Sequence, residues 1–149
     1  MRVLFVCTGN TCRSPMAAGI LRKLLDGRGI SDVEADSCGF AGDGMPVTTY
    51  AAEVAGENGI DIRDHRSKMI NGSLVESAGL ILAMSRRHKD EIIRYFPQAE
   101  GKTFTLAEFA GERGDVEDPM GMGRDVYVRT FGRLHRLIGK STDKIIDYR

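Results

Sequence analysis

RVLFVCTGNTCRSP, residues 2–15, joins a short apolar run to a stretch with helical spacing through a loop that contains a cysteine and an arginine. The apolar residues 2–6 predict a buried strand, which ends at the turn signal of residues 8–10. Beyond Pro15, apolar side chains recur at helical intervals as far as Gly27 and Gly29, so a helix is predicted to start at Pro15. The segment therefore predicts a strand, a tight loop and a helix.

The rest of the chain continues to alternate strands with helices. Further strands are predicted at residues 33–40, 79–84 and 102–106. Further helices are predicted at residues 48–59, at 85–96, and from Arg124 onward with a break or kink at Gly139. This alternation favours an α/β fold of three layers, a parallel sheet with helices on both faces. No repeat or linker composition divides the chain, so one domain is predicted over residues 1–149.

Composition and charge exclude several classes of function. Lys plus Arg and Asp plus Glu number 21 each, so the formal net charge is zero and neither a nucleic-acid partner nor a membrane partner is expected. No stretch has the length of a signal peptide core or a membrane span. The three cysteines, an odd number, fit a reducing compartment, which predicts a cytoplasmic protein. A monomer is expected.

The loop between the first strand and the first helix has the residues of an anion site with a nucleophile. Its backbone N–H groups, from Thr8 to Arg13, converge with the helix N-terminus on one position at the carboxyl end of the strand. The helix terminus and Arg13 favour the thiolate form of Cys7, which can attack phosphorus, while the guanidinium grips two phosphoryl oxygens. Ser14 can donate a hydrogen bond to the thiolate as it leaves. Gly9 and Asn10 tolerate a left-handed backbone, so we predict a phosphoryl-transfer loop.

The segment VLFVCTGNTCRSPMAAGIL resembles the N-terminal motif of the low-molecular-weight protein-tyrosine phosphatase family. The resemblance continues through DHRSKMI, LILAMSRRHKDEI and VEDPMGMGRDVY, and so covers nearly the whole chain. It implies a four-stranded parallel sheet flanked by helices, phosphorylated proteins as partners, and a cysteinyl-phosphate intermediate. It also implies that no metal and no other cofactor takes part.

A departing group must be protonated, so a carboxylic acid is expected above the loop. Asp115, Glu117 and Asp118 are the carboxylates of the glycine-rich segment before the last helix. In the family that the chain resembles, the acid is the aspartate of an Asp-Pro pair. The resemblance therefore implies that Asp118, followed by Pro119, is the general acid and later the general base.

Thr11 bears on the choice of substrate. The string CTGNTCRS resembles the protein-arginine-phosphatase branch of the family, whereas tyrosine-directed members usually carry a bulkier aliphatic residue at this position. A threonine hydroxyl can accept from a substrate guanidinium, and an isoleucine would leave that group unpaired. Met120 stands at the rim, where an aromatic residue is expected, and Phe40 is a candidate pocket wall. Phosphoarginine in proteins is the favoured substrate, with phosphotyrosine as the alternative.

Five other residues and one charged run complete the set of candidates. Cys12, inside the loop, is implied by the family to trap oxidised Cys7 reversibly, and the alternative is an inert buried thiol. Cys38 is interpreted as a small buried apolar residue. His65 is predicted to bond to the loop at Asn10 and support it, with Ser37 and Ser67 as weaker candidates for the same role. The run from Arg86 to Glu91 is interpreted as a solvated helix start.

Two further functions have some basis in the loop. A thiol-linked arsenate reductase has a similar nucleophile loop, but it needs two more cysteines after the third strand, and residues 83–101 contain none. A phosphate-binding module without turnover would be credible if Cys7, Arg13 or Asp118 were missing. All three are present.

Overall fold

A four-stranded parallel sheet organises the chain, of which the computed structural model describes residues 1–149. The strands are β1 (Arg2–Cys7), β2 (Glu34–Gly39), β3 (Ala78–Ala83) and β4 (Thr103–Thr105). Their order in the sheet is β2-β1-β3-β4, and every neighbouring pair is parallel. The predicted fold, an α/β sheet with helices on both faces, is confirmed.

Six α-helices and one 3-10 helix connect and cover the strands. The α-helices are α1 (Arg13–Gly27), α2 (Thr49–Glu57), α3 (Gly72–Ser77), α4 (Arg86–Tyr95), α5 (Leu106–Phe109) and α6 (Arg124–Tyr148). The 3-10 helix spans Pro97–Lys102. None of these helices combines the length and the apolar content that a membrane span requires.

Strand β1 is buried on both faces, which explains its continuous apolar sequence. Val3, Phe5 and Cys7 belong to the larger apolar cluster, which also includes the buried faces of α1 and α6. Leu4 and Val6 point the other way, as alternate residues of a strand do, into a smaller cluster with side chains of α3 and α4. The two clusters are the two sides of a three-layer structure, with α1 and α6 on one face and α3 and α4 on the other.

Two local predictions about helices are wrong. Helix α1 begins at Arg13, so Pro15 is its third residue rather than its first. Proline is compatible with this position because the N–H groups of a first helical turn have no partner within the helix. Helix α6 runs through Gly139 without a break. Its buried side chains on both sides of that glycine, among them Ile138 and Ser141, maintain one continuous packing face.

The position of β1 determines where a ligand can bind. Its two neighbours in the sheet are β2 and β3, which follow it in sequence and lie on opposite sides of it. The connection from β1 runs to β2 on one side, and the connection from β3 runs to β4 on the other, so the two diverge between β1 and β3. Parallel sheets bind ligands at such a switch point. Residues 7–13 lie there.

Candidate active site

The segment from Cys7 to Arg13, called the phosphate loop below, curls from the carboxyl end of β1 to the first residue of α1. Asn10 is the only residue other than glycine with a positive φ, 55°, and asparagine tolerates this left-handed conformation better than most residues. The reversal at Asn10 leads the chain from the carboxyl end of β1 into the N-terminus of α1. An anion is favoured there.

The buried side chain of Asn10 holds this conformation through several hydrogen bonds. Its Nδ2 donates to Ser14 Oγ at 2.8 Å and to Ser37 Oγ at 2.9 Å. Its Oδ1 accepts from the backbone N–H of Lys68 at 3.0 Å. His65 Nε2 lies 3.1 Å from the Asn10 carbonyl oxygen and 3.2 Å from Oδ1. The strained residue is therefore connected to α1, to β2 and to the segment before α3.

Cys7 is almost fully buried, and its sulfur lies among hydrogen-bonding groups. Sγ is 2.9 Å from Ser14 Oγ, and the backbone N–H of Asn10 donates to it at 3.3 Å. These contacts fix the position of the sulfur between the phosphate loop and the first turn of α1. The arrangement can hold a nucleophile at the base of the loop.

Arg13 is buried at the start of α1, and the two terminal nitrogens of its guanidinium have partners within the chain. Its Nη1 donates to the carbonyl oxygen of Val116 at 3.0 Å, and its Nη2 is 3.5 Å from Asp118 Oδ2. Its Nε is buried and has no hydrogen-bond partner within the chain. A buried donor without a partner is costly, so the guanidinium has capacity for an oxygen that the protein does not supply.

The structure separates the three carboxylates of the segment before α6. Asp115 accepts a hydrogen bond from the backbone N–H of Arg86 at 3.0 Å, and Glu117 pairs with Arg129 at the surface. Asp118 alone lies against Arg13. Its side chain is half exposed, and its Oδ1 accepts from the backbone N–H of Met120 at 3.1 Å. The carboxylate therefore faces both the phosphate loop and solvent.

Thr11 lies within the phosphate loop with its hydroxyl buried and without a partner. Its carbonyl oxygen accepts from the backbone N–H of Thr48 at 2.9 Å, which connects this part of the loop to the start of α2. Phe40 follows β2, and its ring stacks on His88 with centroids 6.2 Å apart. Met120 is half exposed. Thr11 is thus inside the site, and Met120 lies at the surface of the segment that carries Asp118.

All three cysteines are free, and two of them are held as thiols. Burial raises the pKa of Cys12 to about 12, with the nearby Cys7 as the next cause. Burial also raises the pKa of Cys38 to about 12, with Asp36 as the next cause. Both side chains therefore behave as small apolar groups at neutral pH.

The contacts of His88 and Gly39 with the phosphate loop were not predicted from the sequence. His88 is buried, so the prediction of a solvated helix start over residues 86–91 is wrong at this position. Its Nε2 lies 2.8 Å from Thr8 Oγ1. Gly39 ends β2 so close to the loop that a Cβ there would lie 2.6 Å from the carbonyl oxygen of Thr8. A glycine at a strand end is the signal that could have indicated this close approach.

A parallel α/β sheet with a cysteine-arginine anion loop at its switch point and an aspartate above that loop has the features of a phosphate-handling enzyme. Comparison with known proteins agrees with this class. Residues 2–146 match the model of the family described as low molecular weight phosphotyrosine protein phosphatase. The chain belongs to this family and is a phosphatase.

Three relatives show how close the similarity is. The chain is 42% identical over 146 residues to a protein-arginine-phosphatase of Geobacillus stearothermophilus, which covers 97% of this chain and 95% of that protein. It is 49% identical to a crystal structure of a low molecular weight protein tyrosine phosphatase from T. tengcongensis, with a TM-score of 0.92 over 97% of this chain and 99% of that one. A mutant of the arginine phosphatase YwlE with a phosphorylated active-site serine is 37% identical, with a TM-score of 0.94 over 100% of this chain and 98% of that one.

Proposed function

We propose that this protein hydrolyses phosphoarginine in proteins through a cysteinyl-phosphate intermediate. Cys7 is the nucleophile, and Asp118 is first the general acid and then the general base. Arg13 and the backbone N–H groups from Thr8 to Arg13 hold the phosphoryl oxygens. The observation that carries the choice of substrate is the buried hydroxyl of Thr11, which has no partner within the chain.

In the first step the Cys7 thiolate attacks phosphorus and forms an S–P bond. The P–N bond to the substrate arginine breaks, and Asp118 gives its proton to the departing nitrogen. The half-exposed position of Asp118 beside Arg13 supports this role, because a phosphoryl group gripped by Arg13 would lie next to the carboxyl group. The guanidinium stabilises the charge on the oxygens throughout.

In the second step Asp118, now a carboxylate, takes a proton from a water molecule whose oxygen attacks phosphorus. The S–P bond breaks, and inorganic phosphate and the Cys7 thiolate are released. Ser14 Oγ, 2.9 Å from the sulfur, can donate a hydrogen bond to the thiolate as it leaves. The YwlE mutant that carries a phosphorylated active-site serine supports a phosphoenzyme at the corresponding stage.

The preference for phosphoarginine depends on an unmet hydrogen bond. The Thr11 hydroxyl is buried, and burying a polar group without a partner costs about 1–3 kcal/mol. The guanidinium of phosphoarginine brings N–H donors to the floor of the site, where the phenyl ring of phosphotyrosine brings none. A substrate that donates to this hydroxyl supplies the hydrogen bond that the free protein lacks, and its binding free energy becomes more favourable. The protein-arginine-phosphatase of Geobacillus stearothermophilus supports the same assignment.

Tyrosine dephosphorylation is the second candidate. It is favoured by the relative from T. tengcongensis, which is described as a protein tyrosine phosphatase and is 49% identical. The catalytic roles of Cys7, Arg13 and Asp118 would be the same in that case, and only the bond that breaks, P–O instead of P–N, would differ.

The deciding experiment compares kcat/KM on a phosphoarginine peptide and on a matched phosphotyrosine peptide. We expect the wild type to prefer phosphoarginine, and we expect Thr11→Ile to lose this preference by about ten-fold or more, since an acceptor is removed. Thr11→Ser is the matched control, because it keeps the hydroxyl and should keep the preference. A wild type that already prefers phosphotyrosine would overturn the arginine assignment and leave the phosphatase chemistry intact.

We also propose that the protein acts in the cytoplasm as a monomer of one domain. Three free, buried cysteines suit a reducing compartment, and both apolar clusters pack against one sheet. Cell fractionation and size-exclusion chromatography with light scattering test the compartment and the oligomeric state. A dimer in solution, or recovery with membranes, would contradict the corresponding part of the proposal.

A further inference from the structure

His88 is, after His65, the second histidine with a side chain joined to the phosphate loop, and the catalytic steps above do not use it. It lies near the start of α4, buried, with its ring stacked on Phe40. Its Nε2 is 2.8 Å from Thr8 Oγ1, and its Nδ1 is 2.7 Å from Ser85 Oγ. Both ring nitrogens therefore have hydroxyl partners, and the three side chains form a chain of hydrogen bonds from α4 to the loop.

The contacts of Ser85 favour one direction for these hydrogen bonds, since its hydroxyl proton has no other acceptor than Nδ1. Its Oγ accepts from the backbone N–H of His88 at 3.2 Å, as a serine at a helix N-cap does. The hydroxyl proton of Ser85 is then free to donate to Nδ1. With Nδ1 as acceptor, a neutral imidazole carries its proton on Nε2 and donates it to Thr8 Oγ1. The Thr8 hydroxyl keeps its own proton available for an oxygen at the mouth of the site.

Thr8 is a suitable point at which to fix the loop. Thr8 supplies the first backbone N–H after Cys7. Its carbonyl oxygen accepts from the backbone N–H groups of Phe40 at 2.8 Å and Ala41 at 3.1 Å. These bonds fix the backbone on the β2 side. The bond to His88 is the only one that holds the side chain, and it comes from the β3 side.

We propose that His88 is a positioning residue for phosphoryl binding. It acts through Thr8, whose hydroxyl it orients and whose place at the start of the phosphate loop it maintains. The proposal deepens the proposed function and rests on the phosphate loop being the site of reaction. It does not depend on whether the substrate is phosphoarginine or phosphotyrosine.

The surroundings of the ring keep it in the neutral form that this direction of hydrogen bonds requires. Burial lowers the pKa of His88 to about 4, and Arg13 is the next cause. Arg87 acts in the same direction, while Glu91 and Asp115 oppose it. The ring is thus neutral at pH values near 7, with one nitrogen as donor and the other as acceptor.

Two substitutions at His88 separate positioning from simple packing. His88→Leu keeps a side chain of moderate size but removes both hydrogen bonds. His88→Gln carries its amide nitrogen at a distance from the backbone similar to that of Nε2, and so it can still donate to Thr8. His135→Leu is the matched control, since His135 is an exposed histidine on α6.

The readouts are kcat and KM on p-nitrophenyl phosphate, the Ki of inorganic phosphate, and the midpoint of thermal unfolding. We expect His88→Leu to lower kcat/KM and to weaken phosphate binding, each by about ten-fold, while His88→Gln stays within about three-fold of the wild type. Thr8→Val should match His88→Leu, and the double variant should be no worse than either single one. His135→Leu should keep both values.

Three results would overturn the proposal. One is a His88→Leu variant that unfolds at a lower temperature but keeps the wild-type kcat/KM and phosphate affinity. The others are equal losses in His88→Gln and His88→Leu, or additive losses in the double variant with Thr8→Val. Because p-nitrophenyl phosphate carries neither arginine nor tyrosine, none of these results bears on the choice between them, which the Thr11 variants decide.

Discussion

Arg13 Nη2 and Asp118 Oδ2 lie 3.5 Å apart, and this ion pair joins the start of α1 to the segment before α6. Arg13 also donates to the carbonyl oxygen of Val116, two residues before Asp118. The buried guanidinium at the end of the phosphate loop thus contacts the segment that carries the proposed acid at two positions. A phosphoryl group bound by Arg13 would lie within reach of this carboxyl group, which we propose protonates the leaving group.

Replacement of Asp118 by asparagine should abolish the proton transfer and leave the nucleophile in place. We expect Asp118→Asn to lose turnover on poor leaving groups by about 100-fold or more, since general acid catalysis contributes about that much. Cys7 should remain reactive toward iodoacetate, because its hydrogen bonds come from Ser14 and Asn10. Steady-state kinetics on alkyl and aryl phosphates, with alkylation rates measured beside them, check both points.

The neighbouring carboxylates provide the control for Asp118. Glu117→Gln removes a surface ion pair with Arg129 and should leave turnover near the wild-type value. If Asp118→Asn hydrolysed poor leaving groups at the wild-type rate, another residue would have to be the acid.

The close contact between Gly39 and the phosphate loop gives a second prediction. A Cβ at position 39 would lie 2.6 Å from the Thr8 carbonyl oxygen and 3.0 Å from the Asn10 backbone nitrogen, so the loop backbone would have to move. We expect Gly39→Ala to lower kcat/KM by at least about ten-fold and to destabilise the fold by about 1–3 kcal/mol. Enzyme kinetics and urea unfolding measure the two effects.

Gly27 at the end of α1 is the matched control, since a Cβ there meets nothing within 4 Å. Gly27→Ala should keep full activity and wild-type stability or better. A Gly39→Ala variant as active as Gly27→Ala would show that the loop tolerates displacement.

The local part of this site could be predicted from the sequence, because its residues are close together in the chain. Cys7 ends β1, and Arg13 and Ser14 begin α1 a few residues later. The apolar run of β1 and the helical spacing of α1 therefore determine how these side chains are presented. The alternation of strands and helices then placed this loop at the carboxyl edge of the sheet. These features depend on residues that are close in sequence, so they can be predicted without knowledge of the tertiary packing.

The contacts of His65 and Ser37 with Asn10 were predicted, but the other supporting contacts could not be, because they join distant parts of the chain. Thr8 and His88 are 80 residues apart, and Asn10 and Lys68 are 58 apart. The sequence around His88 is strongly charged and indicates a solvated helix, and only the packing of α4 on the sheet turns this residue inward. The continuity of α6 through Gly139 has the same origin, since tertiary packing overrides the low helix propensity of one glycine.

Cys12 yields a prediction about oxidation. Peroxide oxidises the Cys7 thiolate to a sulfenic acid, and the Cys12 sulfur can then attack it, with formation of an S–S bond and loss of water. We expect wild-type activity lost to peroxide to return on treatment with dithiothreitol. Cys12→Ser should recover much less, because its Cys7 proceeds to the sulfinic acid. Activity assays and intact-mass measurements follow both outcomes.

Cys38→Ser is the matched control for oxidation, since Cys38 is also free and buried but lies on β2, outside the loop. It should recover as the wild type does. A Cys12→Ser variant that recovers as fully as the wild type would show that Cys12 has no protective role. Cys12 would then be only an inert buried thiol, with its pKa raised by burial to about 12.

The buried His88 ring also predicts how stability depends on pH. Its pKa is about 4 in the folded protein, against an ordinary value of 6.5 for the unfolded chain, with burial as the main cause and Arg13 next. Between these two values the unfolded chain binds more protons at this side chain than the folded protein does. The free energy of unfolding therefore falls as the pH decreases from 6.5 toward 4.

His88→Gln removes this titration while keeping a donor to Thr8. The midpoint of thermal unfolding should consequently fall less in the variant than in the wild type on going from about pH 7 to about pH 5, by about 2–4 °C. His65, whose pKa is also lowered, chiefly by burial, contributes in the same direction and remains in both proteins, so part of the acid sensitivity persists.

Scanning calorimetry across this range is the measurement, with His135→Gln as the control that should follow the wild type. Parallel curves for the wild type and His88→Gln would mean that the ring is as easily protonated in the folded protein as in the unfolded chain. The neutral ring, whose Nδ1 accepts from Ser85, would then lose its support.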